Sequence, residues 1–141
     1  MAILFFSAQG LHGEDILSAD LAERTGPYDQ YHHGDFNALH VSYFRRNAQE
    51  NEFQTCNLRK SHGFHLVAQG ADPIPTVGFA LKPYRIEVIK CGASVSFSMG
   101  YKHEVVSVFS WEDDGKTHGP ILERGKIGFR QMTPQIAEYA N

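Results

Sequence analysis

Eight short extended segments follow one another along this chain, separated by turn residues and with scarcely any helical pattern, and that succession constrains the fold more than any other feature. The alternation predicts strands over Ile3 to Ala8, Ala38 to Phe44, Gln54 to Arg59, Phe64 to Ala68, Tyr84 to Lys90, Ala93 to Ser98, Val105 to Trp111 and Lys126 to Met132. Turn signals fall at Gly63, Gly70-Ala71-Asp72-Pro73, Cys91-Gly92, Asp113-Asp114-Gly115 and Gly119-Pro120, where glycine, proline and aspartate supply the backbone angles or local hydrogen bonds that turns need. Short strands with regular punctuation indicate an all-β sandwich. Only Ile16 to Arg24 has a helix-like spacing, with Ser18 or Asp20 as caps and Gly26-Pro27 as the stop, and it predicts one short loop helix.

The segment from Ala38 shows what the two faces of such a strand carry. Leu39, Val41 and Tyr43 fall on one side and His40, Ser42 and Phe44 on the other. The first is a core face. The second lacks the Lys, Glu and Thr of a plain solvated face, which points to another covered or concave surface. The same reasoning puts Cys56 and Leu58 on one side of their strand and Thr55, Asn57 and Arg59 on the other. In the last segment it turns Ile127 and Phe129 inward and leaves Arg130 and Met132 opposite.

The 141 residues fit one domain, 1–141, with a single sizeable core, and 42% apolar with 21% charged residues is an ordinary globular balance. Thirteen basic residues against sixteen acidic ones give a net charge of −3 with no basic stripe, which argues against nucleic-acid binding. The apolar run Ala2 to Phe6 has no preceding Lys or Arg and is too short for a signal segment or a membrane span, so the expected setting is cytoplasmic, without membrane contact. Cys56 and Cys91 lack any C-x-x-C spacing and are read as reduced.

Several chemistries are disfavoured by spacing. A two-carboxylate glycosidase needs alternating acids on one strand face. Here Glu112, Asp113 and Asp114 are consecutive, and Asp113-Asp114-Gly115 reads as a hairpin turn. Among the eight histidines, His32-His33 are adjacent and His62 and His65 straddle Gly63, so no metal site is expected. No nucleophile elbow or phosphate loop occurs, and no cofactor is implied. What remains is a set of long polar and aromatic side chains: His40, Asn57, Arg59, His65, Trp111, Arg130 and Gln131.

The runs YHHGDFNALHVSYFRR, TCNLRKSHGFHLVAQGADPIP, PYRIEVIKCGASVSFS and WEDDGKTHGPILERGKIGFRQMTPQIAEYAN closely resemble the YesU-like family, a bacterial domain of unknown function with a concanavalin A-like β-sandwich. The resemblance covers nearly the whole chain. It implies a galectin- or glucanase-like jelly roll whose concave sheet handles carbohydrate, in the setting of pectin and especially rhamnogalacturonan. It also implies two departures. Terminal strands of the family's longer sandwich are expected to be missing, with Ile3-Leu4-Phe5-Phe6 as an exposed apolar edge through which the chain self-associates. The stretch GYKHEVV, residues 100–106, is expected to be longer or more divergent than a short hairpin.

Taken together, these readings give a protein that binds a pectic oligosaccharide or polysaccharide fragment on a concave face. Asn57, Arg59, Arg130 and Gln131 would hydrogen-bond it, with Trp111 or a rim tyrosine stacking on a sugar ring. The alternative is a lyase-like enzyme in which Arg59 and Asn57 neutralise a uronate carboxylate while His40 or Tyr31 moves the proton. A glycosidase comes third.

Overall fold

Among its described residues the chain forms eight strands: β1 (Ala2–Gly10), β2 (Phe36–Tyr43), β3 (Thr55–Lys60), β4 (His65–Ala71), β5 (Tyr84–Cys91), β6 (Ser94–Tyr101), β7 (Glu104–Glu112) and β8 (Lys126–Gln131). The structure is a computed structural model and describes residues 2–23, 34–43, 55–73, 83–101 and 103–131. Every pairing between these strands is antiparallel. One sheet has five strands in the order β4-β3-β2-β1-β8, and the other has three in the order β5-β6-β7.

Period-two alternation explains why the two sheets pack. Leu39, Val41 and Tyr43 of β2 with Cys56 and Leu58 of β3 meet Val95, Phe97 and Met99 of β6 and Phe109 of β7. The Phe97 and Phe109 rings stack at 5.2 Å. Each large apolar side chain buried here contributes about 1.5–3 kcal/mol.

Residues 16–23 form turns and extended chain, not the expected helix. The cause is local. The Asp15 carboxylate accepts the Leu17 amide at 3.0 Å, the Ser18 amide donates to the Asp15 carbonyl at 2.9 Å, and the Ala22 amide donates to the Asp35 carboxylate at 2.7 Å. Side chains thus take hydrogen bonds that a helix ladder needs. With Leu17 83% exposed, a helix here would also have no apolar face to bury.

The GYKHEVV stretch is a tight connection rather than a long one. β6 runs on to Tyr101 and β7 starts at Glu104, these two residues pair, and the register shift sits inside the ladder between Phe97 and Ser98. Ile3 to Phe6 is not an edge either, because β1 lies between β2 and β8.

The two flanks of the sandwich differ. At β4 and β7 the sheets touch so closely that a Cβ on Gly70 would collide with the Val108 carbonyl. At β8 and β5, Ile127 and Phe129 lie on the inner face but are 71% and 62% exposed, so the expected burial does not occur. A groove of about 290 Å³ opens there between the sheets, lined by Leu4, Phe6, Val88 and Ile127, with Lys90 and Arg124 beside them. Among the described residues three strands face five, and none of these strands covers this margin. Among the described residues no helix is long and apolar enough to cross a membrane.

Candidate functional site

Strand register assembles the polar residues. Directly opposed residues of an antiparallel pair share a face, so pairings can be followed across the sheet. Arg130, Ile3, Ser42, Asn57 and Gln69 form one row across β8, β1, β2, β3 and β4, and Gly128, Phe5, His40, Arg59 and Leu66 form the next. These rows occupy the outer face of the five-stranded sheet, opposite Leu39, Val41, Cys56 and Leu58. His40, Asn57, Arg59 and Arg130 therefore share one surface, as do Ser42 and Gln69, which spacing alone did not single out.

That surface is closed at its centre and more open toward β4. His40 is 2% exposed and Asn57 8%, whereas Arg59 and Arg130 are half-buried and Gln69 is exposed. The His40 ring meets Phe5 edge-on at 5.5 Å and lies 4.9 Å from the Phe64 ring. Phe36 and Phe64 extend this aromatic cluster beside the polar row. Gln69 Nε2 donates to Asn57 Oδ1 at 2.7 Å.

The turn between β3 and β4 fixes Arg59. Ser61, Gly63 and Phe64 all have positive φ, a costly conformation for a side chain as bulky as phenylalanine. The turn is held by the Ser61 amide on the Ala38 carbonyl at 2.7 Å and by the Phe64 amide on the Ser61 carbonyl at 3.0 Å. Arg59 Nη1 donates to the Phe64 carbonyl at 3.1 Å, so the strained turn and the guanidinium position each other.

Other sequence candidates lie elsewhere. Trp111 packs against the inner core from β7, with the Lys60 ammonium 5.9 Å from its ring, and does not reach the outer face. His65 stacks on His118 at 5.0 Å, against the segment that follows β7. Gln131 pairs through its backbone with Ala2. Tyr31 falls outside the described residues, and among those residues no group of three or more metal-ligating side chains occurs.

A buried ion pair is the feature that sequence reading missed. Lys60 is fully buried. Its ammonium donates to Asp113 Oδ1 at 2.7 Å and to the Gly119 carbonyl at 2.8 Å, and lies 2.6 Å from Asp113 Oδ2. The ammonium thus has a carboxylate as counter-charge and a carbonyl as a second acceptor, the kind of partnering under which a buried charge is tolerated. Asp113-Asp114-Gly115 is consequently no hairpin turn, since β7 and β8 belong to different sheets. The signal was available: Lys60 continues the inward alternation of Cys56 and Leu58.

Asp114, next to this pair, accepts from the Thr117 hydroxyl and from the Lys116 and Thr117 amides, which hold its carboxyl down to about 2. Its folded value lies below the ordinary one. Its contribution is present above the usual carboxylate range and is lost as pH falls toward 2. Cys56 is buried and its thiol is pushed up to about 12 by burial and by Asp72, which leaves it protonated and inert, while Cys91 is exposed.

The family described as Domain of unknown function (DUF1961) matches residues 1–141. The chain belongs to that family. It is 53% identical over 140 residues to the uncharacterized protein YesU of Bacillus subtilis (strain 168), covering 99% of this chain and 62% of that protein. It also superposes on a solved Bacillus subtilis protein of unknown function with a galectin-like fold, at a TM-score of 0.78 and 54% identity, covering 94% of this chain and 59% of the other. The chain thus spans less than two thirds of the length of these relatives. The fold level of the resemblance is established: an all-β, two-sheet sandwich like the galectin-like neighbour.

Proposed function

We propose that this chain is a carbohydrate-binding jelly roll of the concanavalin A-like lectin and glucanase class. It takes acidic pectic oligosaccharides of the rhamnogalacturonan type on the outer face of its five-stranded sheet. The observation that carries the reading is the convergence of Asn57, Arg59, Gln69 and Arg130 on one surface through strand register. Two guanidinium groups and two carboxamides suit a ligand with a carboxylate and many hydroxyls, because arginine binds a carboxylate in a bidentate fork and amides hydrogen-bond hydroxyls in either sense.

Binding is favoured over chemistry on this face. Among the described residues neither row holds a carboxylate, so the pair of acids that glycoside hydrolysis requires is not supplied by them. The lyase alternative asks His40 or Tyr31 to take a proton from a sugar carbon; Tyr31 lies outside the described residues, and the His40 ring is packed against Phe5 and Phe64 with 2% exposure.

Calorimetric titration of the wild type and Arg59→Ala with an acidic and a neutral pectic fragment tests the proposal. A charge-assisted hydrogen bond contributes about 1.5–3 kcal/mol, so the variant should bind the acidic fragment roughly ten- to a hundredfold more weakly. The neutral fragment should lose much less. Equal affinities for the two proteins would remove Arg59 from the site, and new ultraviolet absorbance from an unsaturated product would replace binding with elimination.

A further inference from the structure

The groove between β8 and β5 carries charges that its apolar wall does not call for. Lys90 occupies an inward position of β5, opposite Val95 and two residues on from Val88, where the alternation favours an apolar side chain. Unlike Lys60, it meets no carboxylate among the described residues, and its ammonium donates to the Gly92 carbonyl at 2.7 Å. Arg124 lines the same groove from the chain that enters β8. Gly125 puts it there. With φ at 142° and a Cβ site 2.5 Å from the Ala8 carbonyl oxygen, position 125 admits glycine alone, so the chain passes close against the irregularity in β1 and sets Arg124 at the groove's edge.

Among the described residues Arg124 has neither an ion pair nor a hydrogen bond, and Glu123, also on the rim, pairs with neither cation. Lys90 and Arg124 against Glu123 leave the groove one positive charge beside the wall of Leu4, Phe6, Val88 and Ile127. An apolar wall with one uncompensated positive charge at its rim is complementary to an amphiphile with a single negative head. With Phe6 the one aromatic in that wall, an aliphatic chain packs there better than a ring does. The volume of about 290 Å³ is at the small end of ligand sites and holds about ten heavy atoms at roughly 30 Å³ each, the share of liquid volume that one water takes.

We infer that this groove binds a small straight-chain carboxylate of the size of octanoate, its chain along Leu4, Phe6, Val88 and Ile127 and its head on Lys90 and Arg124. The site lies between the sheets and is independent of the carbohydrate reading, which concerns the outer face of the five-stranded sheet.

Calorimetric titration, at protein concentrations where the chain is monomeric, tests this. Octanoate should bind the wild type, and octanamide, which has the same shape without the charge, should bind about three- to tenfold more weakly. Arg124→Gln alters an exposed side chain and should fold as the wild type does; it should weaken octanoate by that same factor and leave octanamide unchanged. Affinity should rise about two- to fourfold per methylene from butanoate to octanoate and level off by dodecanoate, once the groove is full. Ile127→Asp puts a like charge in the wall and should weaken octanoate about tenfold. Methyl NMR should show octanoate shifting Leu4, Val88 and Ile127 while leaving Leu58 and Val67 in place. A wild type that takes up no octanoate overturns the inference. So do equal octanoate affinities for wild type and Arg124→Gln, or a gain that continues undiminished to dodecanoate, since either means unspecific adsorption to the apolar margin. If Ile127→Asp abolishes self-association but leaves octanoate affinity as it was, the groove is filled by a second copy of the chain rather than by a carboxylate, and the inference falls.

Discussion

The two flanks of this sandwich are built on opposite principles. On the β4 and β7 side, approach is so close that only hydrogen fits at Gly70, and the Lys60–Asp113 pair ties β3 to the chain leaving β7. On the β8 and β5 side, Ile86, Ile127 and Phe129 remain 40%, 71% and 62% exposed, and Ile127 lines an open groove. One flank is over-determined by contacts that tolerate no change, and the other has apolar surface still to bury. Destabilising substitutions should therefore concentrate on the first, and changes in association on the second.

The largest effect is expected where a charge would be stranded. Asp113→Ala leaves the Lys60 ammonium buried without its partner and should cost about 3–5 kcal/mol, measured by urea unfolding. Replacing Lys60 and Asp113 together by Met and Leu should recover most of that loss, and a double variant as unstable as the single one would mean that the pair's charge is not what matters. Gly70→Val should come next, at about 1–3 kcal/mol, because the new side chain drives β4 away from the Val108 carbonyl. A melting temperature equal to the wild type would show that this flank can give.

On the open flank the sign of interest changes. Ile127→Asp should alter stability by less than about 0.5 kcal/mol, since the side chain is mostly in water already. The wild type should self-associate at high concentration in sizing experiments, and Ile127→Asp should shift it toward monomer. If both elute alike as monomers, the exposed apolar margin has no role in association.

These contrasts also explain what could be read from the sequence. All eight strands were legible, because alternation is a property of single segments and Leu39, Val41, Tyr43, Cys56 and Leu58 carry it plainly. The helix over residues 16–24 failed where it could be checked because periodicity says nothing about Asp15 and Asp35 competing for amides. The sharing of one face by His40, Asn57, Arg59 and Arg130 could be guessed strand by strand, but the rows depend on register. Two long-range properties set the other candidates apart: Trp111 stands on β7 of the other sheet, and His65 pairs with the inward-facing Lys60 beyond a register shift in the β3–β4 ladder. Lys60 was missed because lysine is rarely buried, and only its place in the alternation argued otherwise.

The Lys60–Asp113 link joins residues 53 positions apart, and it has a consequence for how the chain reaches its native state. Before the sheets meet, the ammonium and the carboxylate are each well solvated and gain little from one another. Once they meet, both must lose their water together, and neither can be accommodated alone. Such a contact gives no reward to a half-assembled chain and a large one to a finished one. It therefore belongs to the downhill side of the folding barrier, where it slows unfolding more than it speeds folding.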